Sequence, residues 1–198
     1  MHHAELVWVT PDAEKLIGKI ARVSNPNNED NPNVEGLIRY LIKHKHWSPF
    51  EMASMCVEIK TTRAIAPQIL RHRSFSFQEF SQRYAIPTES FPTVIPDLRR
   101  QDHLNRQNSI DDLPSETTDF MKTRIDSHFR EAVDLYHYML DHDVAKECAR
   151  SVLPLNTCTR LYMSGTIRSW LHYVDLRGDH GTQREHMSIA RSVGEILD

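Results

Sequence analysis

The segment RHRSFSFQEFSQRY, residues 71 to 84, concentrates the side chains that could do chemistry in this chain. It carries three arginines, Arg71, Arg73 and Arg83, against one carboxylate, Glu79. A guanidinium is always charged, and its planar fork binds a phosphate group through two hydrogen bonds. One carboxylate cannot neutralise three cations, so we predict an anionic ligand here. A solvated, arginine-rich surface turn is the alternative that these residues leave open.

Aromatic residues are interleaved with these charges, and their flat faces suit a planar ring. They are Phe75, Phe77, Phe80 and Tyr84. A polar cluster threaded with aromatic side chains favours a phosphate-bearing heterocycle as the ligand. The chain has no GxGxxG after a predicted strand and no Walker loop, so any nucleotide is held by other means.

Ser81 is the residue in this segment that could act as a nucleophile. A serine attacks well only beside a base that is itself oriented by a third group. His72 is nine residues away and Glu79 only two, so the sequence assigns no triad. We therefore predict that Ser81 binds the phosphate or sugar of the ligand.

The bulk composition bounds the class of protein. The chain has 198 residues, a net charge of −3 and 39% hydrophobic residues, which fits a single domain over 1–198. This charge argues against a broad nucleic-acid surface, and the chain has no apolar run of the roughly 20 residues that a membrane helix needs. The three cysteines, Cys56, Cys148 and Cys158, show no paired spacing, so we predict core positions and a cytoplasmic location.

The elements that must position these residues follow from hydrophobic periodicity. The patterns predict strands over 5–10 and 52–59, and loops over 25–33 and 86–116. They predict helices over 11–23, 34–44, 117–142, 145–152, 157–173 and 186–197, and a further helix that starts near Thr61 or Thr62 and runs towards residue 71. In the helix over 157–173, Ser164, Arg168 and His172 would share one face.

Several further motifs accompany Arg71-His72-Arg73, the seven residues after it, and Ser81. They are HWSPFE at 46–51, TRAI at 62–65 leading to Gln68, AR at 149–150 with LPLN at 153–156, Arg168-Ser169, Leu176-Arg177 with Gln183, and ARVS at 21–24. Together, and in their order along the chain, these motifs resemble the blocks of the flavin-dependent thymidylate synthases over most of the chain. Thr166 and His172 depart from the pattern, where the family often has asparagine.

The resemblance implies a fold, a reaction and an assembly. The fold is of the α/β class (α+β type), with an antiparallel sheet flanked by helices. The reaction is the reductive methylation of dUMP to dTMP, with FAD as cofactor and NADPH and methylenetetrahydrofolate as co-substrates. The assembly is a homotetramer whose sites are shared between subunits. No metal, nucleic acid or membrane partner is implied.

The resemblance also assigns residues to ligands. The implied dUMP set is Gln68, Arg71, Glu79, Ser81, Arg83, Arg150 and Arg177. The implied FAD set is His46, Ser48, Arg71, His72, Arg73, Glu79, Thr166, Arg168 and His172. Arg177 is implied to be catalytic and to lie over the uracil ring, where a charged donor can stabilise the electron-rich form that reacts at C5. The alternative for Arg177 is a salt bridge in its turn with Asp175 or Asp179.

A metal-dependent nucleotide hydrolase is the second function that the sequence suggests. The chain has 12 histidines, and local clusters occur at His44/His46, His137/His142 and Asp179/His180/Glu185/His186. None matches HExxH, and two histidines five apart on a helix do not converge on one ion. The visible spectrum of a bound flavin separates the two hypotheses.

Overall fold

Four antiparallel strands form the main sheet, in the order β1-β2-β6-β3. The structure is a computed structural model that describes residues 1–29 and 31–198. The strands are β1 His3–Val9, β2 Ser54–Thr62, β3 Ser76–Glu79 and β6 Cys158–Thr166, and a small hairpin pairs β4 Arg100–Gln101 with β5 Ser109–Ile110. The prediction of an antiparallel sheet flanked by helices is confirmed, as are the strands expected over 5–10 and 52–59, within a few residues.

Eight α-helices surround this sheet in the described part of the chain. They are α1 Ala13–Ala21, α2 Glu35–Lys43, α3 Ala66–Ile69, α4 Pro87–Ser90, α5 Ser115–Asp141, α6 Lys146–Ala149, α7 Ile167–Arg177 and α8 Arg184–Leu197. The helices predicted over 11–23, 34–44, 117–142, 145–152 and 186–197 are confirmed. Thr61 and Thr62 end β2 instead of capping a helix. Pro67 lies in the first turn of α3, where a backbone N–H is not needed.

The prediction of one helix over 157–173 is wrong for its first half. Residues 158–166 form β6, which pairs with β2 through Ile59 and Leu161 and with β3 through Phe77 and Met163. The apolar residues of β6 alternate with polar ones, which is a strand period. A strand with a neighbour on each side satisfies its backbone hydrogen bonds by pairing, so the sheet outweighs local helix propensity. Ser164 therefore shares no helix face with Arg168.

The helix that carries the second half of that segment begins one residue after β6 ends. The hydroxyl oxygen of Thr166 accepts a hydrogen bond from the backbone N–H of Ser169 at 3.3 Å, so Thr166 caps α7. Trp170 and Tyr173 on α7 are fully buried, and so are Ile189 and Val193 on α8. The core thus lies between the sheet and the two C-terminal helices.

The two predicted loops contain short ordered elements. Residues 26–28 form a 3-10 turn, and Asp30 lies outside the described residues. Arg22 is buried and donates to the carbonyl oxygens of Asn31 at 2.5 Å and Asn33 at 2.7 Å, so it closes this loop. The stretch 86–116 holds α4, the β4–β5 hairpin and the start of α5.

Exposure departs from the sequence expectation in two places. In the predicted apolar stripe of α5, only Tyr136 is buried, while Met121 is 39% exposed. Of the three cysteines, Cys56 and Cys158 are buried as predicted, but Cys148 is exposed, because the short helix α6 presents it outwards. Within the described ranges, none of the helices is long and apolar enough to cross a membrane.

Candidate active site

Strand β3 divides the arginine-rich segment into two halves. Its first residue, Ser76, pairs with Ser164, and its last, Glu79, pairs with Leu161. At about 3.3 Å per residue, those two positions lie about 10 Å apart. Residues 71–73 precede the strand, and residues 81–83 follow it. The segment therefore supplies cationic groups at both ends of a strand instead of one compact cluster.

Arg177 and His72 form the centre of the first group. The Nε atom of Arg177 donates to Nε2 of His72 at 3.0 Å. In the described part of the chain, Arg177 forms no ion pair, so the salt bridge with Asp175 or Asp179 is not found. The guanidinium of Arg177 is thus anchored by a neutral acceptor and keeps its full charge. Gln68, which also precedes β3, donates through Nε2 to Oε1 of Gln183 at 2.7 Å.

The imidazole of His72 must be uncharged to accept that hydrogen bond. Burial, together with the charges of Arg177 and His172, lowers the pKa of His72 from 6.5 to about 4. The ring lies edge-on to Tyr173, with centroids 5.0 Å apart. His72 therefore acts as an uncharged acceptor near neutral pH.

Arg71 and Arg73 remain exposed on either side of His72. Neither side chain has a hydrogen bond or ion pair with any residue that the structure describes. Two adjacent guanidiniums without a carboxylate are costly unless an anion binds them. This donor set fits the phosphate groups of a nucleotide such as FAD or dUMP.

The second group follows β3 and is joined by ion pairs. Oε1 of Glu79 accepts from Nη1 of Arg63 at 2.5 Å and from the hydroxyl of Thr159 at 3.0 Å. Arg83 pairs with Glu147 at 2.9 Å. Residue patterns alone missed Arg63 as the partner of Glu79, although it lies inside the TRAI motif.

Glu147 also connects Arg83 to Arg150. The Nε atom of Arg150 donates to the carbonyl oxygen of Glu147 at 3.3 Å, so α6 brings both arginines together. The Ser81 hydroxyl accepts only the backbone N–H of Arg83, at 3.3 Å, and contacts no histidine or carboxylate in the described chain. This geometry favours a binding role for Ser81 over a nucleophilic one.

Two further predicted flavin residues, Arg168 and His172, border a third region, around α7. A cavity of about 570 Å³ is lined by Trp47, Ser74, Arg168 and His172, among others. Arg168 forms an ion pair with Glu51 of the HWSPFE motif. His46 and Ser48 are exposed on either side of Trp47. The structure thus brings the HWSPFE motif, the residue after Arg73 and α7 to one cavity.

The histidine clusters that suggested a metal site do not assemble one. Among residues 1–29 and 31–198, no group of three or more His, Cys, Asp or Glu side chains could hold a metal ion. His137 contacts the hydroxyl of Thr88, and Glu185 pairs with Arg99. His186 is buried and bonds to the hydroxyl of Tyr173 at 3.1 Å. The metal-dependent hydrolase has no support in the structure.

Acidification is expected to weaken the fold through His186. Burial, followed by the charges of Arg177 and His72, lowers its pKa from 6.5 to about 4. On unfolding below pH 6.5, this histidine takes up a proton that the folded state refuses, so the free energy of unfolding falls as the pH drops from 6.5 towards 4. At about 1.4 kcal/mol per pKa unit, we expect His186 to account for about 3 kcal/mol of this loss.

Urea denaturation between about pH 7 and pH 4.5 measures this effect. The His186→Gln variant should show a pH dependence flatter by about that amount, while His128→Gln, at an exposed position of α5, should follow the wild-type curve. Equal pH dependence in the wild type and the His186→Gln variant would contradict the prediction.

Comparisons with known proteins show which family the chain resembles. Residues 5–198 match the family model described as thymidylate synthase complementing protein. A probable flavin-dependent thymidylate synthase of Paramecium bursaria Chlorella virus 1 is 52% identical over 186 residues, which is 93% of this chain and 85% of the relative. The flavin-dependent thymidylate synthase of Synechocystis sp. is 52% identical over 184 residues, which is 93% of this chain and 84% of that protein.

A solved structure shows the same fold. The UMP/dUMP methylase PolB of Streptomyces cacaoi, crystallised with 5-Br dUMP, superposes with a TM-score of 0.84 at 27% identity, over 100% of this chain and 90% of that one. The family match covers nearly the whole chain, and both relatives are 52% identical to it over 93% of its length. The chain belongs to the thymidylate synthase complementing proteins, the family of the flavin-dependent thymidylate synthases.

Proposed function

We propose that the chain methylates dUMP to dTMP, with FAD bound and with methylenetetrahydrofolate and NADPH as co-substrates. The observation that carries this proposal is the guanidinium of Arg177, which is held by a neutral His72 and paired with no described carboxylate. The family membership and the dUMP-binding neighbour support the substrate. A cytoplasmic location stays a prediction, and NADPH is proposed from the family alone.

Arg177 supplies the electrostatic part of the reaction. Methylation at C5 of uracil requires that this carbon be electron-rich, as it is when negative charge develops on the ring at N3 and its neighbouring oxygens. A fixed cation beside the ring stabilises that charge without reorganising, and one such donor is often worth about 3 kcal/mol of transition-state energy. Because Nε of Arg177 is bound to His72, both of its Nη groups remain available for the ring.

The residues present fit FAD. Arg71 and Arg73 offer unpaired guanidiniums for its phosphates, and the cavity beside Trp47, Arg168 and His172 could hold one of its planar ring systems. When bound, the flavin supplies the hydride that completes the methyl group, while the chain binds and orients the reactants. We propose His46, Ser48, His72 and Glu79 as further contacts, and Thr166 as an indirect one because its hydroxyl caps α7.

The proposed dUMP residues fall into the two groups described above. Gln68 and Arg71 lie before β3, and Arg177 lies on α7. In the second group, Glu79 ends β3, Ser81 and Arg83 follow it, and Arg150 follows α6. We propose that one group from each of two subunits meets at a shared site, within a homotetramer. Large exposed apolar side chains support such an assembly. They include Leu6, Val7 and Trp8 on β1 and Phe120, Leu135 and Tyr138 on α5.

The visible absorbance spectrum of the purified protein tests the flavin assignment. We expect bound FAD with a perturbed spectrum, and a further change on addition of dUMP, because the substrate ring lies beside the cofactor. Arg73→Ala should weaken FAD binding by about 10-fold or more, since a charge-assisted phosphate contact is lost. Arg191→Ala, an exposed arginine on α8, should leave it unchanged. A protein that binds no FAD would overturn the proposed function.

Replacing Ser81 by alanine separates binding from nucleophilic attack. If Ser81 only binds the ligand, Ser81→Ala should keep measurable turnover and raise KM for dUMP by about 10-fold, as expected for one lost hydrogen bond to a charged group. Steady-state kinetics with dUMP as the varied substrate give both constants. Complete loss of turnover with unchanged dUMP affinity would instead make Ser81 the nucleophile.

A further inference from the structure

The buried rings of Tyr173 and His186 pack against His72, which accepts the hydrogen bond from Arg177. Neither of the two is among the proposed contacts of FAD or dUMP. We propose that Tyr173 and His186 are positioning residues, which hold His72 in the one orientation and tautomer that anchors Nε of Arg177. This inference deepens the proposed function and rests on it, because Arg177 matters only if it meets the substrate.

The hydrogen bond from Arg177 fixes where the proton of His72 resides. The guanidinium has donors and no acceptor, so Nε2 of His72 must offer a lone pair. A neutral imidazole carries a single N–H, which is then on Nδ1. In water the Nε2–H form predominates for histidine, so this site selects the less common tautomer. A ring rotated by half a turn would present a C–H group to Arg177.

Three aromatic contacts hold the ring in place. The His72 ring lies edge-on to Tyr173 at 5.0 Å and 79°, to His186 at 6.1 Å and 85°, and to Phe75 at 6.5 Å and 79°. Edge-to-face contacts at such distances are favourable and depend on orientation. A tilt of the His72 ring plane would disturb all three contacts at once, whereas a half turn is opposed by the hydrogen bond from Arg177.

Tyr173 connects this enclosure to Arg177 through the backbone. The two residues are four apart on α7 and therefore share one face of the helix. Tyr173 and His186 are both 0% exposed, and their 3.1 Å hydrogen bond joins α7 to α8. A shift of the Tyr173 ring would thus move His72 relative to the side chain that it anchors.

The Tyr173–His186 pair is not explained by stability alone. The Nδ1 atom of His186 is buried and has no hydrogen-bond partner among the described residues. An unsatisfied buried polar atom is costly, and an apolar pair of the same shape would avoid that cost. A positioning role accounts for polar groups at this place.

The surroundings of His72 also keep it uncharged. The charged and titratable groups that face it are Arg177, His172 and Tyr173 on α7 and His186 on α8, and no carboxylate contributes to its pKa. Protonation of His72 would remove the acceptor and place two cations together. The pKa of His72, lowered by burial to about 4, prevents this near neutral pH.

Histidine-labelled ¹⁵N NMR on the ligand-free protein tests the tautomer directly. The signal that disappears in His72→Gln should show an Nδ1–H tautomer and remain neutral down to about pH 5. In Tyr173→Phe the same signal should shift towards the Nε2–H form. Without its hydrogen bond to His186 the ring at position 173 can move, His72 can then tilt away from Arg177, and the hydrogen bond that keeps the proton on Nδ1 weakens. An Nε2–H tautomer in the wild type, or no change in Tyr173→Phe, would overturn the proposal.

Kinetics provide the functional half of the test. Tyr173→Phe should lower kcat by about 10-fold and leave KM for dUMP within a factor of about two, since it misaligns a group that acts in the transition state. Tyr162→Phe is the matched control: it removes a hydroxyl that donates to Glu58 at 2.7 Å, away from His72, and should behave as wild type. A Tyr173→Phe enzyme with wild-type kcat would refute the positioning role. A protein with the expected NMR signature but no dUMP methylation would refute the proposed function and leave the His72 geometry standing.

Discussion

Arg177→Ala is expected to lower the rate of dUMP methylation by about 10²- to 10³-fold while FAD still binds. Loss of the cation removes the charge that stabilises the reacting uracil ring. It also leaves Nε2 of His72 without its donor. FAD binding should persist, because Arg71, Arg73 and the cavity beside Trp47 are untouched. Single-turnover methylation, followed together with flavin absorbance, measures both properties.

Two further variants locate the cause of this loss. Arg177→Lys keeps the positive charge but lacks the planar fork that can bind His72 and the ring together, so it should recover only a small part of the rate. Arg191→Ala removes an exposed arginine from α8 and should leave the rate unchanged. Normal turnover in Arg177→Ala would show that the chemistry takes place elsewhere.

Gly165→Ala is expected to displace Phe75 and thereby to disturb the proposed FAD site. A Cβ at this position would lie 2.5 Å from Cδ1 and 2.8 Å from Cε1 of Phe75, so the ring must move. Phe75 packs against Trp170 at 4.6 Å and begins the connection from residues 71–73 to β3. Overpacking of this kind costs about 1–3 kcal/mol, and displacement of Phe75 should also weaken FAD binding by about 10-fold.

Gly36→Ala is the matched control for this substitution. No atom lies within 4 Å of a Cβ at position 36, and α2 is a helix, so alanine should stabilise the protein by about 0.5–1 kcal/mol. Calorimetry and an FAD titration of both variants compare the two sites. The same chemical change should therefore have opposite signs at positions 36 and 165. A stable Gly165→Ala protein with wild-type FAD affinity would show that Phe75 moves without consequence.

The motifs were readable from the sequence because their chemistry is local. Closely spaced arginines such as Arg71 and Arg73, with only one carboxylate near them in the sequence, predict an anion site in any fold. The long periodic helix α5 was equally clear, since its period extends over more than seven turns. The burial of α5 could not be predicted in the same way, because periodicity shows which face of a helix is apolar but not whether another element covers that face. Phe120 and Leu135 remain exposed on that helix.

The sequence patterns did not predict strands β3 and β6. The run SFSFQ at 74–78 alternates in the period of a strand, and this signal was available. The run over 158–166 also alternates, but it is followed at once by the true helix α7, so the two were read as one helix. Only the pairing of β6 with both β2 and β3 decides its conformation.

By itself, the sequence determined the family, the anionic and heterocyclic character of the ligands, and the helical parts of the fold. Tertiary structure alone decided which partner each charged group takes. Glu79 pairs with Arg63, Arg83 with Glu147, and Arg177 with His72 instead of with either aspartate in its own turn. The physical reason is distance along the chain. Hydrogen bonds between residues more than 100 positions apart, as in Arg177 and His72, depend on how the sheet and α7 pack, and residue spacing does not encode that packing.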